Sequence, residues 1–155
     1  MDENTERILN AEWLILDVEY IRDHKHRCIR KLAYITKHGV TGTAEFFPCR
    51  ELEDLSFKDR RSFWFCYYNI HGLSFKPTTG GGKMCCDAIA EIGKILATNN
   101  CDVILYKGGD IEKKLGEEIG VETFDIEKIG VGKANNHDPL QEVIFYRNQL
   151  NMHVL

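Results

Sequence analysis

Hydrophobic and polar positions divide this chain into short blocks of two periods. Residues 13–20 (WLILDVEY) are nearly continuously apolar, follow a helix-like leader at 3–11, and predict a buried strand. Residues 28–38 (CIRKLAYITKH) alternate through Ile29, Lys31, Ala33 and Ile35, a period of two that predicts a second strand. Gly39-Val40 reads as a turn and 41–48 (TGTAEFFP) as a third strand, so the chain opens with a meander. Residues 57–70 predict a helical stretch ending at His71-Gly72, and 76–82 (KPTTGGG) is a breaker loop. Over 83–99, Met84, Cys85, Ala88, Ile89, Ile92, Ile95 and Leu96 recur at the spacing of an amphipathic helix. Residues 101–106 (CDVILY) predict a buried strand. A short helix over 110–119 follows, stopped by Gly120, and then a short strand over 121–126. Asp138-Pro139 opens a final helix that runs to about residue 150. A meander followed by alternating helices and strands predicts an α/β fold, with a mixed sheet of about five strands and helices on both faces.

Composition narrows the function classes. With 155 residues, 43% hydrophobic and 28% charged, the chain reads as one globular domain, 1–155, standing alone or within a larger protein. The longest apolar or aromatic run, 63–68 (FWFCYY), is far below the ~20 residues of a membrane span. The opening MDENTER lacks the basic-then-apolar pattern of a signal peptide. No membrane partner is therefore expected, and the location expected is intracellular, cytoplasmic or nuclear. A net charge of −4 excludes a globally basic nucleic-acid coat but leaves room for a local basic groove or a metal-assisted site. The six cysteines contain no C-x-x-C and are expected to be reduced thiols.

Three segments carry chemistry. Asp17 and Glu19 stand in the apolar first strand, where alternation places both on one face about 7 Å apart along the chain. Two carboxylates there repel and are poorly solvated, a conflict that a divalent metal resolves. By itself, a D-x-E at a strand end is more often a pair of solvated acids. Asp110 follows a buried strand and a Gly-Gly turn (YKGGD) and opens a helix; taken alone it reads as a helix cap. His137 lies five residues before Glu142, in the first turns of the last helix.

In this order, the segments resemble the DnaQ-like (DEDDh) 3′–5′ exonuclease family of ribonuclease H-like fold. Asp17 and Glu19 match its D-x-E on the first strand. Asp110 matches its third acid, and His137 with Glu142 matches the H-x-x-x-x-D that opens its last helix. Asn69-Ile70-His71-Gly72-Leu73 resembles the segment preceding the substrate-side helix in many members, and GGDIEKKL is similar to the exonuclease domains of arenavirus nucleoproteins. The resemblance spans roughly 13–150. Two departures stand out: the last acid is Glu142 where the family has Asp, and Asp110 follows Gly-Gly rather than H-N-x-x-F. Asp87, Asp102 and Asp138 are the alternatives if the matching slips.

The resemblance implies hydrolysis of phosphodiester bonds at a nucleic-acid 3′ end, with RNA favoured over DNA and single- and double-stranded ends both open. Asp17, Glu19, Asp110 and Glu142 would hold two Mg²⁺ or Mn²⁺ ions roughly 4 Å apart, and His137 would serve as general base. His71, Gly72, Leu73 and Lys107 would contact substrate, with Lys76, Lys83 and Lys133 flanking. Phe75 reads either as a base-stacking ring or as core, and FWFCYY as core or a partner surface, which leaves a homodimer or larger assembly open. The alternative function is an inactive exonuclease-like domain that binds RNA or protein. His24, His26 and Cys28, with Cys49 or with Cys85 and Cys86, offer zinc ligands. Their spacing is too tight for the common finger frameworks, so a polar turn is expected and structural zinc is not.

Overall fold

A computed structural model describes residues 1–24, 26–78, 82–135 and 137–154. Residues 79–81 of the expected breaker loop lie outside the described residues. Helix α1 (Glu3–Asn10) is capped by Asp2, which accepts the Thr5 N–H at 2.7 Å. The apolar run at 13–20 is the greater part of a longer strand, β1 (Trp13–Asp23), and β2 (His26–Thr36) and β3 (Thr41–Phe47) complete an antiparallel meander. Helix α2 (Phe57–Cys66) continues into a π-helical turn, Tyr67–His71, closed by Gly72 at φ 64°.

The segment expected as one helix from 83 is divided. Lys83–Met84 form a short strand, β4, parallel to β3 and paired with Phe46 and Phe47. A 3₁₀ turn, Cys85–Asp87, leads into α3 (Ala88–Thr98). Main-chain pairing at the open edge of β3 outweighs helix propensity for these first residues, and the buried helical face begins at Ala88. Strand β5 (Val103–Tyr106), helix α4 (Ile111–Ile119), strand β6 (Glu122–Asp125) and helix α5 (Pro139–Val154) follow.

The six strands lie in the order β4-β3-β2-β1-β5-β6, with β1, β5 and β6 mutually parallel. Alternation along β1 sorts its side chains between two cores. Trp13 and Ile15 join Ile8, Val143, Tyr146 and Leu150 beneath α1 and α5. Leu14, Leu16 and Val18 join Ile92, Leu96, Ile111 and Leu115 beneath α3 and α4. A third cluster, Ile21, Leu55, Phe63 and Phe75, seats α2 against the far end of β1. Phe75 is therefore core, edge-on to Phe63 with ring centroids 5.3 Å apart, and is not presented for base stacking. Of the aromatic run, Phe63 is buried while Trp64, Phe65 and Tyr68 are exposed. Among the described residues, no helix is long and apolar enough to cross a membrane.

Candidate metal centre

Strand β1 extends past its parallel neighbour, because β5 pairs only as far as Ile15. Asp17 and Glu19 thus project just beyond the carboxyl end of β5, the edge of a parallel sheet at which ligands bind. Their odd positions place them on the α5 face. Opposite Asp17 stands Ala33, which contributes only a methyl group to that layer. Helix α5 crosses this face with Val143, Tyr146 and Leu150 in the core, and the same register delivers Glu142. Carboxylate oxygens of Asp17, Glu19 and Glu142 all lie within 4.8 Å of one another. The Glu142 N–H is satisfied by the Asp138 carbonyl at 2.9 Å, in the opening turn of the helix.

The structure separates Asp110 from this group and supplies a different acid. Gly108 and Gly109 turn with φ of 63° and 73°, and Asp110 emerges at the surface. There it accepts from Arg27 Nη1 on β2 and pairs with Lys114 at 3.0 Å, and these cations hold its carboxyl down at about 2. Two residues on, Glu112 is buried, and its Oε1 accepts the N–H of Val18, the residue between Asp17 and Glu19, at 3.3 Å. The expectation that Asp110 joins the site is corrected by these contacts: cations outside the cleft claim Asp110, and the inward side of α4 carries Glu112. The sequence signal for this was the helical period, which sets Glu112 beside Leu115 and Gly116 on the buried side.

Among the described residues, no lysine or arginine pairs with Asp17, Glu19, Glu112 or Glu142, and Asp17 Oδ2 is buried with no hydrogen-bond partner. Burial, together with the neighbouring Glu142, Glu112 and Glu19, pushes Asp17 far above the carboxylate range. Burial and Glu142 raise Glu19 to about 7. Burial raises Glu112 to about 8 against the opposing hydrogen bonds it accepts. Such a set, all oxygen donors with one oxygen orphaned, fits a hard divalent cation.

These shifts predict a pH signature. The folded chain holds protons on Glu19 and Glu112 that the unfolded chain gives up near pH 4.5. Metal-free stability is therefore full below that pH and lost as pH rises through about 7 to 8. Thermal melting in chelator should fall by roughly 5–10 °C from pH 5 to pH 8, and Mg²⁺ or Mn²⁺ should restore most of it at pH 8 and little at pH 5. A melting temperature that does not respond to pH would show that the acids are not buried together.

His137 lies at the rim, half-exposed, with Nδ1 3.9 Å from Glu142 Oε1. It lines an open cleft of about 580 Å³ together with His71, Leu73 and Asp138. A smaller cleft of about 200 Å³, lined by Glu19, Cys66, Ile70 and His71, adjoins it. His71 Nδ1 accepts the Leu73 N–H at 2.9 Å, across the left-handed Gly72. Burial and the neighbouring Arg30 and His137 lower the His71 pKa. Buried Arg30 fixes this segment by donating to the Ser74 carbonyl at 2.9 Å and to Glu45 at 3.0 Å. His71 and Leu73 line the cleft beside His137, with Gly72 between them in the chain.

Lys107 does not line either cleft; it is largely buried and pairs with Glu127 at 3.3 Å. Of the flanking lysines, Lys76 pairs with Glu51 and Lys83 with Glu91. Asp138 accepts from Lys31 at 3.3 Å and caps α5 through the Gln141 N–H at 3.2 Å. Compared with known proteins, the chain matches no family model and no curated protein.

Proposed function

We propose that this chain is a metal-dependent 3′–5′ exonuclease of ribonuclease H-like fold, acting on RNA in preference to DNA. The observation that carries the reading is the cluster of Asp17, Glu19 and Glu142, two half-buried and one buried, gathered at the carboxyl edge of the sheet with no lysine or arginine paired to it among the described residues. Supporting it are the strand order β3-β2-β1-β5-β6 with β2 alone antiparallel to the rest of that set, and a histidine beside the last acid.

Asp17, Glu19 and Glu142 would hold one or two Mg²⁺ or Mn²⁺ ions, with Glu112 behind them. Ions so held lower the pKa of a bound water and offset negative charge on the phosphate. His137 takes the proton from the attacking water. With Nδ1 turned towards Glu142, its Nε2 is the accepting atom, and Glu142 keeps the ring in place. The water oxygen bonds to phosphorus, the P–O3′ bond breaks, and the 3′ oxygen leaves and is protonated from solvent. His71, whose Nδ1 accepts the Leu73 N–H, offers its Nε2–H to the terminal nucleotide from the wall of the cleft.

The test is cleavage of 5′-labelled single- and double-stranded RNA and DNA in Mg²⁺, Mn²⁺ or chelator. A ladder shortening from the 3′ end is expected with metal only. His137→Ala should slow it by about 10²–10⁴-fold and remove the acid limb of the pH profile. The displacement of Asp110 favours one other reading, a non-catalytic RNA- or protein-binding domain. Folded protein that cleaves nothing in either metal, yet retains an oligonucleotide, would establish that reading instead.

A further inference from the structure

At the β4 edge of the sheet, two cysteines far apart in sequence are in contact. Parallel pairing of Phe46 with Lys83 and of Phe47 with Met84 sets the chain leaving β3 beside the chain leaving β4. Cys49 stands two residues past Phe47, and Cys85 directly follows Met84. Their thiols meet, with Sγ 2.6 Å from Sγ. Two sulfurs so placed need a shift of about half an ångström to reach the ~2.05 Å of a disulfide bond. Cys49 is exposed and Cys85 half-buried, and an open cavity of about 620 Å³ is lined by Cys49, Arg50 and Met84.

The two cysteines bracket the segment 49–85, and the attachments of that segment are short or local. At its end, β4 pairs with β3 over only two residues. In its middle, Leu55, Phe63 and Phe75 pack against Ile21, and the Ser74 carbonyl accepts from Arg30 at 2.9 Å. The exposed ion pair of Lys76 with Glu51 joins two parts of the segment itself. The same segment carries the π-helical turn and then His71 and Leu73, which line the cleft beside His137. A covalent bond between Cys49 and Cys85 closes 49–85 into a loop. It restricts the unfolded chain and ties β4 to the end of β3 without relying on main-chain pairing. Burial, and then the Cys49 thiol beside it, raises the Cys85 thiol, so exposed Cys49 is the sulfur that meets a reagent first.

We propose that Cys49 and Cys85 are the site of a reversible disulfide, formed by exchange with a small-molecule disulfide of the glutathione class, that locks the segment 49–85 onto the sheet. Cys49 Sγ, as thiolate, attacks one sulfur of the reagent, whose S–S bond breaks and releases one thiol. Cys85 Sγ, as thiolate, then attacks Cys49 Sγ, and the mixed disulfide breaks and releases the second. The protein gives up two electrons and two thiol protons, and the two released thiols take both. The link shares no residue with the acidic cluster and does not depend on the nuclease reading.

The experiment equilibrates the whole reduced, folded chain with glutathione disulfide, then titrates its thiols, maps non-reduced peptides and records melting. Of the six cysteines, two thiols should be lost and be returned by dithiothreitol. The mapped link should join Cys49 to Cys85 within one chain, and the linked form should melt roughly 5–10 °C above the reduced form. Cys86→Ser and Cys101→Ser should form the link as the parent does. Cys85→Ser should stop at a glutathione adduct on Cys49, and Cys49→Ser should form no link. Mapping is made on the unmodified chain, so it decides the matter even where a variant fails to fold. Four results would overturn the proposal: six titratable thiols after equilibration, a lasting glutathione adduct on the parent with no link, a link between a different pair, or a linked form that melts no higher than the reduced one.

Discussion

Asp17→Asn is expected to leave a folded chain and to lower the proposed metal-dependent cleavage by a factor on the order of 10³, the size of effect that follows from removing one preorganised electrostatic group. The same variant melts about 5 °C or more above the parent in chelator at pH 8. Both halves have one cause. Asp17 Oδ2 is buried without a partner and its neighbours are carboxylates, so its charge is a liability until a cation arrives. Asparagine keeps the shape and removes the charge, which relieves Glu19 and Glu142 and at the same time deprives a metal of one of its three clustered carboxylates. Melting curves with and without Mn²⁺, set beside single-turnover cleavage, measure the two effects. Loss of activity together with loss of metal-free stability would make Asp17 a structural residue and remove the metal-centre reading.

Glu112→Gln and Asp110→Asn should differ sharply, and in the order opposite to that expected from the motif. Glu112→Gln lowers cleavage by about 10–100-fold, as loss of a group supporting a metal site does, and raises the metal concentration needed for half-maximal rate. The amide oxygen of glutamine still accepts the Val18 N–H, so folding is retained. Asp110→Asn changes the rate by a few-fold at most. It weakens only exposed ion pairs with Arg27 and Lys114, which solvent screens. Steady-state rates over a Mn²⁺ titration decide between the two. A dead Asp110→Asn beside an active Glu112→Gln would return the third acid to Asp110 and require the Gly108-Gly109 turn to rearrange.

The two carboxylates of β1 were legible because a strand has a fixed period. Once 13–20 is a strand with one apolar face, Asp17 and Glu19 must share a side. His137 and Glu142 were legible because Asp138-Pro139 marks a helix start, which sets their positions within a turn or so. Asp110 was misplaced because the motif counts residues while the backbone counts dihedrals. Two glycines with positive φ turn the chain before α4, and the helix then carries inward the residue two positions later. Lys107 was misplaced for a related reason: a lysine after a buried strand looks free in sequence, whereas the loop after β6 brings it Glu127.

By itself the sequence determined the element types and nearly all of their order, the sidedness of the meander, and the presence of an acid pair with a histidine and a further acid on the last helix. Each of these follows from local periodicity or capping, which neighbours in the chain decide. Only the tertiary structure decided that β1 outruns β5, that Glu112 rather than Asp110 reaches the backbone between Asp17 and Glu19, that 83–84 is strand rather than helix, and that Cys49 and Cys85 meet. Those outcomes depend on strand register and on which cation reaches which carboxylate first, contacts between segments tens of residues apart that no local pattern encodes.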